Sequence, residues 1–193
     1  MKKFYLSLYF VFVFVTNSFG LTVAMKFETS KYIAIMESAI KGEACFFSDE
    51  NGNVRWQTIS PYESVMLLNS KGVFQFEKQK GKWRKLDSKF GGTVKRIVDE
   101  IHKIIVGDFG DSYEVKKIAD SVELIPKNSS AKNFISKIKI TLKQGTQIPT
   151  IIEFVEVSGD RTVMKVVEIS QDAKLDASIF DDTKIGDFIY PKK

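Results

Sequence analysis

The chain has very few of the residues on which most catalytic and metal sites depend. Its 193 residues include one cysteine, Cys45, and one histidine, His102. A single cysteine cannot form an internal disulfide, so even in an oxidising compartment the fold must be stabilised by packing. A cysteine nucleophile needs a basic partner, and the one histidine falls at the boundary between the apolar and polar faces of a predicted helix. These absences argue against an enzyme.

Other motifs of catalysis and ion binding are missing as well. The chain has no glycine-rich loop of the kind that cradles phosphate. Asp49, Asn51 and Asn53 are spaced like the first ligands of a calcium loop. However, Val54 replaces the required glycine and Ser60 the bidentate glutamate. We interpret this segment as a turn, and the sequence predicts a protein without catalytic residues, metal or cofactor.

The N-terminus has the composition of an export signal. Lys2 and Lys3 precede an uncharged apolar run over residues 4–15, and polar or small residues follow as far as Gly20. This order is typical of a cleaved secretory signal peptide, and the apolar run is shorter than the roughly 20 residues of a membrane-spanning helix. We expect cleavage after Gly20, with cleavage as late as Ala24 as the alternative.

The rest of the chain, residues 21–193, has a length that suits one domain. Loss of Lys2 and Lys3 lowers the formal net charge from +5 to +3, an excess too small to suggest nucleic acid. We expect a soluble protein, without stable membrane insertion after cleavage, that is a monomer.

Residues 42–77 predict four short strands joined by tight turns. The strands cover residues 42–48, 54–59, 62–68 and 73–77, and their spacing is that of an antiparallel meander. Their apolar side chains are too numerous for one packed face. Phe27 and residues 32–35 predict a further strand, which is expected to pair with residues 44–47.

The second half of the chain predicts more antiparallel strands. A hairpin is expected from residues 112–118 and 122–125, followed by strands at 135–142, 150–157 and 162–169. Residues 174–180 predict a short helix or turn, and residues 187–190 a final edge strand.

A helical period interrupts the strands between Gly92 and Gly107. Its apolar positions recur three or four residues apart: Val94, Ile97, Val98, Ile101, Ile104 and Ile105. The predicted fold class is therefore mainly β (α+β). It is a strongly curved antiparallel sheet that forms a half-open barrel, with one main amphipathic helix and short helical segments as a lid over an apolar cavity.

The order of features in residues 42–77 resembles the periplasmic lipoprotein carrier LolA and its relatives. This order runs from Gly42 through a strand and a turn to Trp56, then to Pro61 and an aromatic strand. Residues 138–180, with their glycine turn and closing phenylalanine, are similar to the C-terminal half of the same family.

The resemblance implies a half-open β-barrel in the periplasm, with helices as a lid over a cavity for acyl chains. It also implies transport of lipoproteins from an inner-membrane exporter to an outer-membrane acceptor. Trp56 matches the family tryptophan that lines the cavity. Residues 48–51 depart from the family, because they stand where it has an Arg-Pro pair that latches the lid. Little room exists for the family's N-terminal helix, since a strand pattern begins by Phe27.

Apolar residues on the predicted strands and helix are the candidate lining of the lipid-binding cavity. They are Phe46, Trp56, Met66, Leu68, Phe74, Phe76, Ile97, Ile101, Ile105, Ile138, Ile140 and Phe154. The alternative for each is ordinary core packing. A basic hairpin with Lys80, Lys82, Trp83 and Arg84 is a candidate contact with a membrane or partner, or else a solvated tip.

Two other functions remain open. The first is a carrier of another acylated lipid or glycolipid. The second is a non-enzymatic envelope sensor or interaction protein on the same fold. A purely structural envelope protein, whose hollow is filled by its own side chains, is the third alternative.

Overall fold

The computed structural model describes residues 22–86, 110–127 and 129–186, and eleven β-strands dominate this part of the chain. The strands are β1 (Val23–Tyr32), β2 (Ile40–Ser48), β3 (Val54–Ser60), β4 (Ser64–Asn69), β5 (Gly72–Gln79), β6 (Lys82–Lys85), β7 (Tyr113–Ile118), β8 (Ser121–Pro126), β9 (Ile135–Leu142), β10 (Pro149–Glu156) and β11 (Arg161–Gln171). A short helix, α1 (Ser129–Lys132), precedes β9, and two 3-10 turns cover Gly110–Ser112 and Ala177–Phe180. Among these residues no helix is both long and apolar enough to cross a bilayer.

All eleven strands belong to one antiparallel sheet, in the order β6-β5-β4-β3-β2-β1-β11-β10-β9-β8-β7. Two meanders, β1–β6 and β7–β11, are joined where β1 pairs with β11, from Val23 opposite Gln171 to Tyr32 opposite Arg161. The sheet is curved and does not close, because β6 and β7 are its edges. The predictions of a mainly β fold and of a curved, open antiparallel sheet are confirmed.

The first strand differs from the prediction. Val23, Met25 and Phe27 alternate on one face of β1, and Phe27 lies opposite Ala44 in the ladder with β2. Residues 33–35, which were expected to pair, follow the end of β1 and belong to its loop. The short apolar run after Tyr32 lacks the two-residue alternation that places one set of side chains in a core. The prediction for residues 33–35 is therefore wrong.

The other strand predictions agree closely with the structure. Strand β9 has the expected bounds, and β7 and β8 form the expected hairpin. The segment at residues 174–180 ends in a 3-10 turn. The predicted main helix around residues 94–105, His102 within it and the predicted edge strand at residues 187–190 lie outside the described residues.

Both faces of the sheet carry apolar side chains. We call the face with Phe27, Phe46 and Trp56 the first face, and the face with Phe47 and Leu67 the second face. On β2 to β5 the two sets alternate, which explains why this stretch has more apolar residues than one face needs.

The second face is covered by residues 173–186, which we call the C-terminal segment. Ile179 and Phe180 from this segment are buried against Phe47, Val65 and Leu67. Farther along the second face, on β8 to β11 and the adjoining part of β1, ion pairs replace apolar contacts. They join Lys137 to Glu123 at 3.2 Å, Arg161 to Glu153 at 3.6 Å and Lys165 to Glu28 at 3.3 Å.

Candidate functional site

The first face carries one apolar cluster that extends across the sheet. Its buried members are Val23, Met25, Phe27, Phe46, Val54, Tyr113, Val122, Leu124, Ile138, Ile140, Ile152 and Met164. Its half-buried members are Trp56, Met66, Leu68, Ile135, Leu142, Phe154, Val166 and Ile169. We call all twenty the first-face cluster. It combines a dry floor with large apolar side chains that solvent still reaches.

Trp56 lies at the centre of the β2–β4 part of this cluster. In the strand register it stands between Phe46 and Met66. Its ring stacks on Phe27 with centroids 5.7 Å apart and an interplanar angle of 22°, and it meets the edge of Phe46 at 6.4 Å. Such aromatic pairs stabilise by about 0.5–1.5 kcal/mol beyond the area they bury. Trp56 is therefore held in a fixed orientation while part of its ring stays exposed.

Seven of the twelve residues predicted to line a cavity belong to the first-face cluster. They are Phe46, Trp56, Met66, Leu68, Ile138, Ile140 and Phe154. Ile97, Ile101 and Ile105 lie outside the described residues. The contribution of any of these residues to lipid binding stays a prediction.

Phe74 and Phe76 belong to the second face instead. They stand opposite Leu67 and Val65 in the β4–β5 ladder, whereas Met66, between those two residues, points to the first face. Side chains of successive strand residues point to opposite faces, so Phe74 and Phe76 cannot share a wall with Met66. The prediction that these two phenylalanines line the same cavity as Trp56 is wrong.

One polar side chain is fully buried on the first face within the described residues. Ser48 stands between Val23 and Val54 in the register, and its Oγ has no hydrogen-bond partner among these residues. A lone hydroxyl among apolar groups provides no acid, base or nucleophile pair. Within the described residues, the chemistry of this face is that of an apolar surface.

The predicted thiol candidate, Cys45, lies on the second face and is buried. Burial raises the pKa of the Cys45 thiol from 9.0 to about 11, so the group stays protonated at neutral pH. The reactive form of cysteine is the thiolate, and this environment disfavours it.

Arg55 is a buried residue whose structural role the sequence did not reveal. Its side chain is only 1% exposed, on the second face. It donates two hydrogen bonds to Gln57 Oε1, at 3.2 and 2.9 Å, and one each to the carbonyl oxygens of Ile179 and Gly186, both at 3.0 Å. Burial lowers the pKa of its guanidinium to about 10, which leaves it charged at neutral pH. Arg55 thus holds the C-terminal segment against the sheet.

Two more contacts hold the same segment. Asn69 donates a hydrogen bond to the carbonyl oxygen of Phe180 at 2.9 Å, and Lys71 pairs with Asp182 at 2.9 Å. The hydrogen bond from Lys71 holds the pKa of the Asp182 carboxyl below its usual range. The β1–β5 part of the second face is therefore covered by the chain itself, at defined positions.

The residues of the predicted basic hairpin are split between the two faces. Lys80, Lys82 and Arg84 are exposed, whereas Trp83 is half-buried in the second-face cluster. The ring of Trp83 lies under Lys78 Nζ, 5.8 Å from its centroid. The exposed part of this hairpin is cationic, and its tryptophan is not available as a surface aromatic beside those cations.

A family model matches most of the chain. The model for the outer membrane lipoprotein carrier protein LolA matches residues 49–183, which include Trp56, Arg55 and the C-terminal segment as far as Thr183. No curated protein matches the sequence.

Several solved structures resemble the chain at low identity. A DUF1329 family protein from Desulfovibrio piger has a TM-score of 0.50 at 8% identity, over 91% of this chain and 96% of that chain. A putative outer membrane lipoprotein-sorting protein domain from Vibrio parahaemolyticus has a TM-score of 0.42 at 11% identity, over 90% and 95%. The MucA/MucB complex of Pseudomonas aeruginosa gives 0.37 at 10% identity, over 87% of this chain and 58% of that chain. The likeness to the first of these concerns the fold alone.

Proposed function

Because this chain belongs to the LolA family of outer membrane lipoprotein carrier proteins, we propose that it is a periplasmic carrier that binds acyl chains on the first-face cluster. Its cargo would be lipoproteins, received from an inner-membrane exporter and delivered to an outer-membrane acceptor. The carrier acts as a monomer and catalyses no reaction.

The observation that carries this proposal is the difference between the two faces. The second face is filled by Ile179 and Phe180 of the chain's own C-terminal segment. The first-face cluster, by contrast, keeps eight half-buried apolar side chains beside its dry floor. Burial of one methylene contributes about 0.8 kcal/mol, so ten methylenes of one acyl chain contribute about 8 kcal/mol before ordering costs. This is enough for reversible binding without any polar contact.

The predicted helix completes the site in this proposal. If the sequence pattern forms the predicted helix, Ile97, Ile101 and Ile105 would share one stripe of it and would face the first-face cluster as a lid. When acyl chains enter, the lid would move away and the half-buried side chains, Trp56 among them, would contact cargo.

The start of β1 supports one of the two cleavage sites for the proposed signal peptide. Strand β1 begins at Val23, and Ala24 is fully buried on the second face. Cleavage after Gly20 preserves the strand, whereas cleavage after Ala24 removes its first two residues. We therefore propose residues 1–20 as the signal peptide.

A second candidate function is transport of another acylated lipid or a glycolipid. The β2–β3 turn favours this alternative, because it departs from the family's Arg-Pro latch. Asp49 Oδ1 accepts hydrogen bonds from the backbone N–H groups of Asn51 and Asn53, at 3.0 and 2.9 Å, and its Oδ2 accepts one from the Asn53 amide. The hydrogen bonds of Asp49 stay within the turn, so a latch of the family type would require other residues.

Fluorescence titration with a palmitoylated peptide tests the proposal. The chain has two tryptophans, so Trp83→Phe leaves Trp56 as the reporter on the first face. In that background we compare Met66→Gln with Phe74→Gln, two half-buried positions on neighbouring strands that face opposite ways. We expect Met66→Gln to weaken binding about tenfold, or ~1.4 kcal/mol, and Phe74→Gln to leave it unchanged. Equal affinities for the two variants, or no binding by the parent, would contradict the proposed site.

A further inference from the structure

Large apolar side chains are exposed together at one end of the sheet. We call this set the apolar rim: Tyr32, Ile35, Met36, Ile40, Ile59, Tyr62, Phe134 and Val157. Ile35 and Tyr62 are 94% and 81% exposed, and Phe134 and Val157 are 60% and 58% exposed. Isolated exposed apolar residues are ordinary on a protein surface, but a contiguous set marks a surface that another body covers.

Hydrogen bonds between the connecting loops hold the turns of the apolar rim next to one another. The Ala34 backbone N–H donates to Asp160 Oδ1 at 3.0 Å, which joins the β1–β2 loop to the β10–β11 turn. The Val157 N–H donates to the carbonyl oxygen of Phe134 at 3.0 Å. On the other side, the Glu43 N–H donates to Ser60 Oγ at 3.0 Å, next to the turn that carries Tyr62. The turns that carry the rim therefore lie side by side, from the β3–β4 turn to the start of β9.

Unpaired lysines lie at the same end of the sheet. The pairing of Ser64 with Glu77 places the β5–β6 turn, with Lys80 and Lys82, beside the β3–β4 turn. Lys41 and Lys132 adjoin the rim in sequence, and all four lysines are exposed without an acidic partner among the described residues. Most acidic side chains at this end already form an ion pair or accept a hydrogen bond.

These engaged acids leave a net positive surface. Glu63 pairs with Lys78 at 3.0 Å, and Glu156 pairs with Lys31 at 3.3 Å. Asp160 accepts the hydrogen bond from the β1–β2 loop. Two acids at this end, Glu37 and Glu77, have no ion-pair partner among the described residues, against four such lysines, so the balance of charge beside the rim is positive. Free cations beside apolar tips complement a surface that is anionic outside and apolar within.

The shape of the rim favours a bilayer over a folded partner. Its most exposed side chains stand at the tips of separate turns, not on a flat face or in a groove. A bilayer interface accepts such scattered tips without a matching shape, whereas a protein interface requires packing complementarity. Tyrosine rings and lysine stems also suit the boundary between headgroups and acyl chains.

We propose that the apolar rim and its four free lysines dock this protein on an anionic bilayer surface, with Ile35 and Tyr62 inserted among the lipids. This inference rests on the proposed carrier function and adds the place where cargo enters. Phe134, on the rim, directly precedes Ile135, a half-buried member of the first-face cluster. The rim and the first-face cluster therefore adjoin in the chain at this point, where an acyl chain that leaves the bilayer would enter.

Vesicle co-sedimentation tests the docking, with the chain beginning at Leu21, which retains all eleven strands. Vesicles of phosphatidylcholine with phosphatidylglycerol are compared with vesicles of phosphatidylcholine alone. The variant Ile35→Glu/Tyr62→Glu is compared with Val115→Glu/Ile118→Glu, which alters two exposed apolar residues of β7 away from the rim. We expect binding to the anionic vesicles, about tenfold weaker for the rim variant and unchanged for the β7 variant.

Three results would overturn the docking. They are no binding to anionic vesicles, equal binding by the two variants, and a dimer in sedimentation velocity that the rim variant alone dissociates. The last would identify a second copy as the occupant. Titration with palmitoylated peptide, without vesicles, separates this inference from the carrier function. Peptide binding without vesicle binding refutes the docking alone, and vesicle binding without peptide binding refutes the carrier function alone.

Discussion

Replacement of Arg55 by methionine should detach the C-terminal segment without affecting the first face. Methionine has a similar length and is apolar, but it cannot donate the hydrogen bonds that Arg55 makes to Gln57, Ile179 and Gly186. The change leaves Gln57 Oε1 and two carbonyl oxygens without this donor. A buried acceptor without a partner costs about 1–3 kcal/mol, while removal of a buried charge recovers part of its desolvation cost.

The balance predicts a loss of about 2–4 kcal/mol in the free energy of unfolding, of the size seen when one member of a buried polar network is removed. Urea unfolding followed by circular dichroism measures this loss. Arg84→Met is the matched control, because Arg84 is an exposed arginine on β6 and its replacement should change stability by less than about 0.5 kcal/mol.

The same variant also tests whether lipid binding is confined to the first face, while the second face only packs against the C-terminal segment. We expect the affinity of Arg55→Met for palmitoylated peptide to stay within about twofold of the parent, since Arg55 points away from Trp56. A variant as stable as the parent would refute the reasoning, because it would mean that Arg55 does not hold the segment. A large loss of affinity in a folded variant would show that the second face takes part in binding.

Three further predictions concern individual buried or closely packed residues. Gly42→Ala should cost about 1–3 kcal/mol in urea unfolding, because its Cβ would collide with the Ser60 carbonyl oxygen, while Gly186→Ala, with open space around the new atom, should cost much less; equal costs would contradict the close approach. Burial raises the pKa of Cys45 from 9.0 to about 11, so the unfolded chain releases this proton first and stability falls as the pH rises through that window. Between pH 7.5 and pH 10 the parent should lose about 1.4 kcal/mol more than Cys45→Ala, and parallel pH profiles would exclude this cause. Phe180→Ala should cost about 3–5 kcal/mol and leave peptide affinity unchanged, and a weaker affinity in the folded variant would contradict the structural role of the segment.

The strands themselves could be predicted from the sequence because their signals are local. Strand β9 alternates Ile138, Ile140 and Leu142 with polar residues, and the turns that follow are short and rich in glycine. The excess of apolar residues in β2 to β5 also indicated correctly that more than one face is covered. The two-residue alternation of apolar side chains and the residue types of the turns are sufficient to predict such strands.

The assignment of side chains to faces was harder. Phe74 and Phe76 are as apolar as Trp56 and occupy a neighbouring part of the meander, but the register of β4 with β5 sends them to the other face. Register depends on turn geometry and on partners distant in sequence, and a shift of one residue reverses every side chain. The sequence therefore identified these residues as apolar and at least half-buried, but not the face of the sheet to which they point.

The burial of Arg55 is a second feature that could not be predicted from the sequence. A strand that carries Arg55 and Gln57 on one face predicts a wet surface, since charged residues are rarely buried unless they are paired. The structure buries both, because residues more than 120 positions later return to cover them. The signal was nonlocal: Arg55 and Gln57 share their face with Phe47 and Leu67 of the adjacent strands, so an apolar surface surrounds a polar pair.

The measurement that tests the carrier function most directly is native mass spectrometry of the protein recovered from the cell envelope, followed by organic extraction of anything bound. The carrier account predicts a stoichiometric acylated molecule, and a loss of that molecule in Met66→Gln but not in Phe74→Gln. The extracted mass would also distinguish a lipoprotein from a glycolipid or another lipid. A protein that is recovered without lipid, and that stays unbound when acylated peptide is added, would contradict the account.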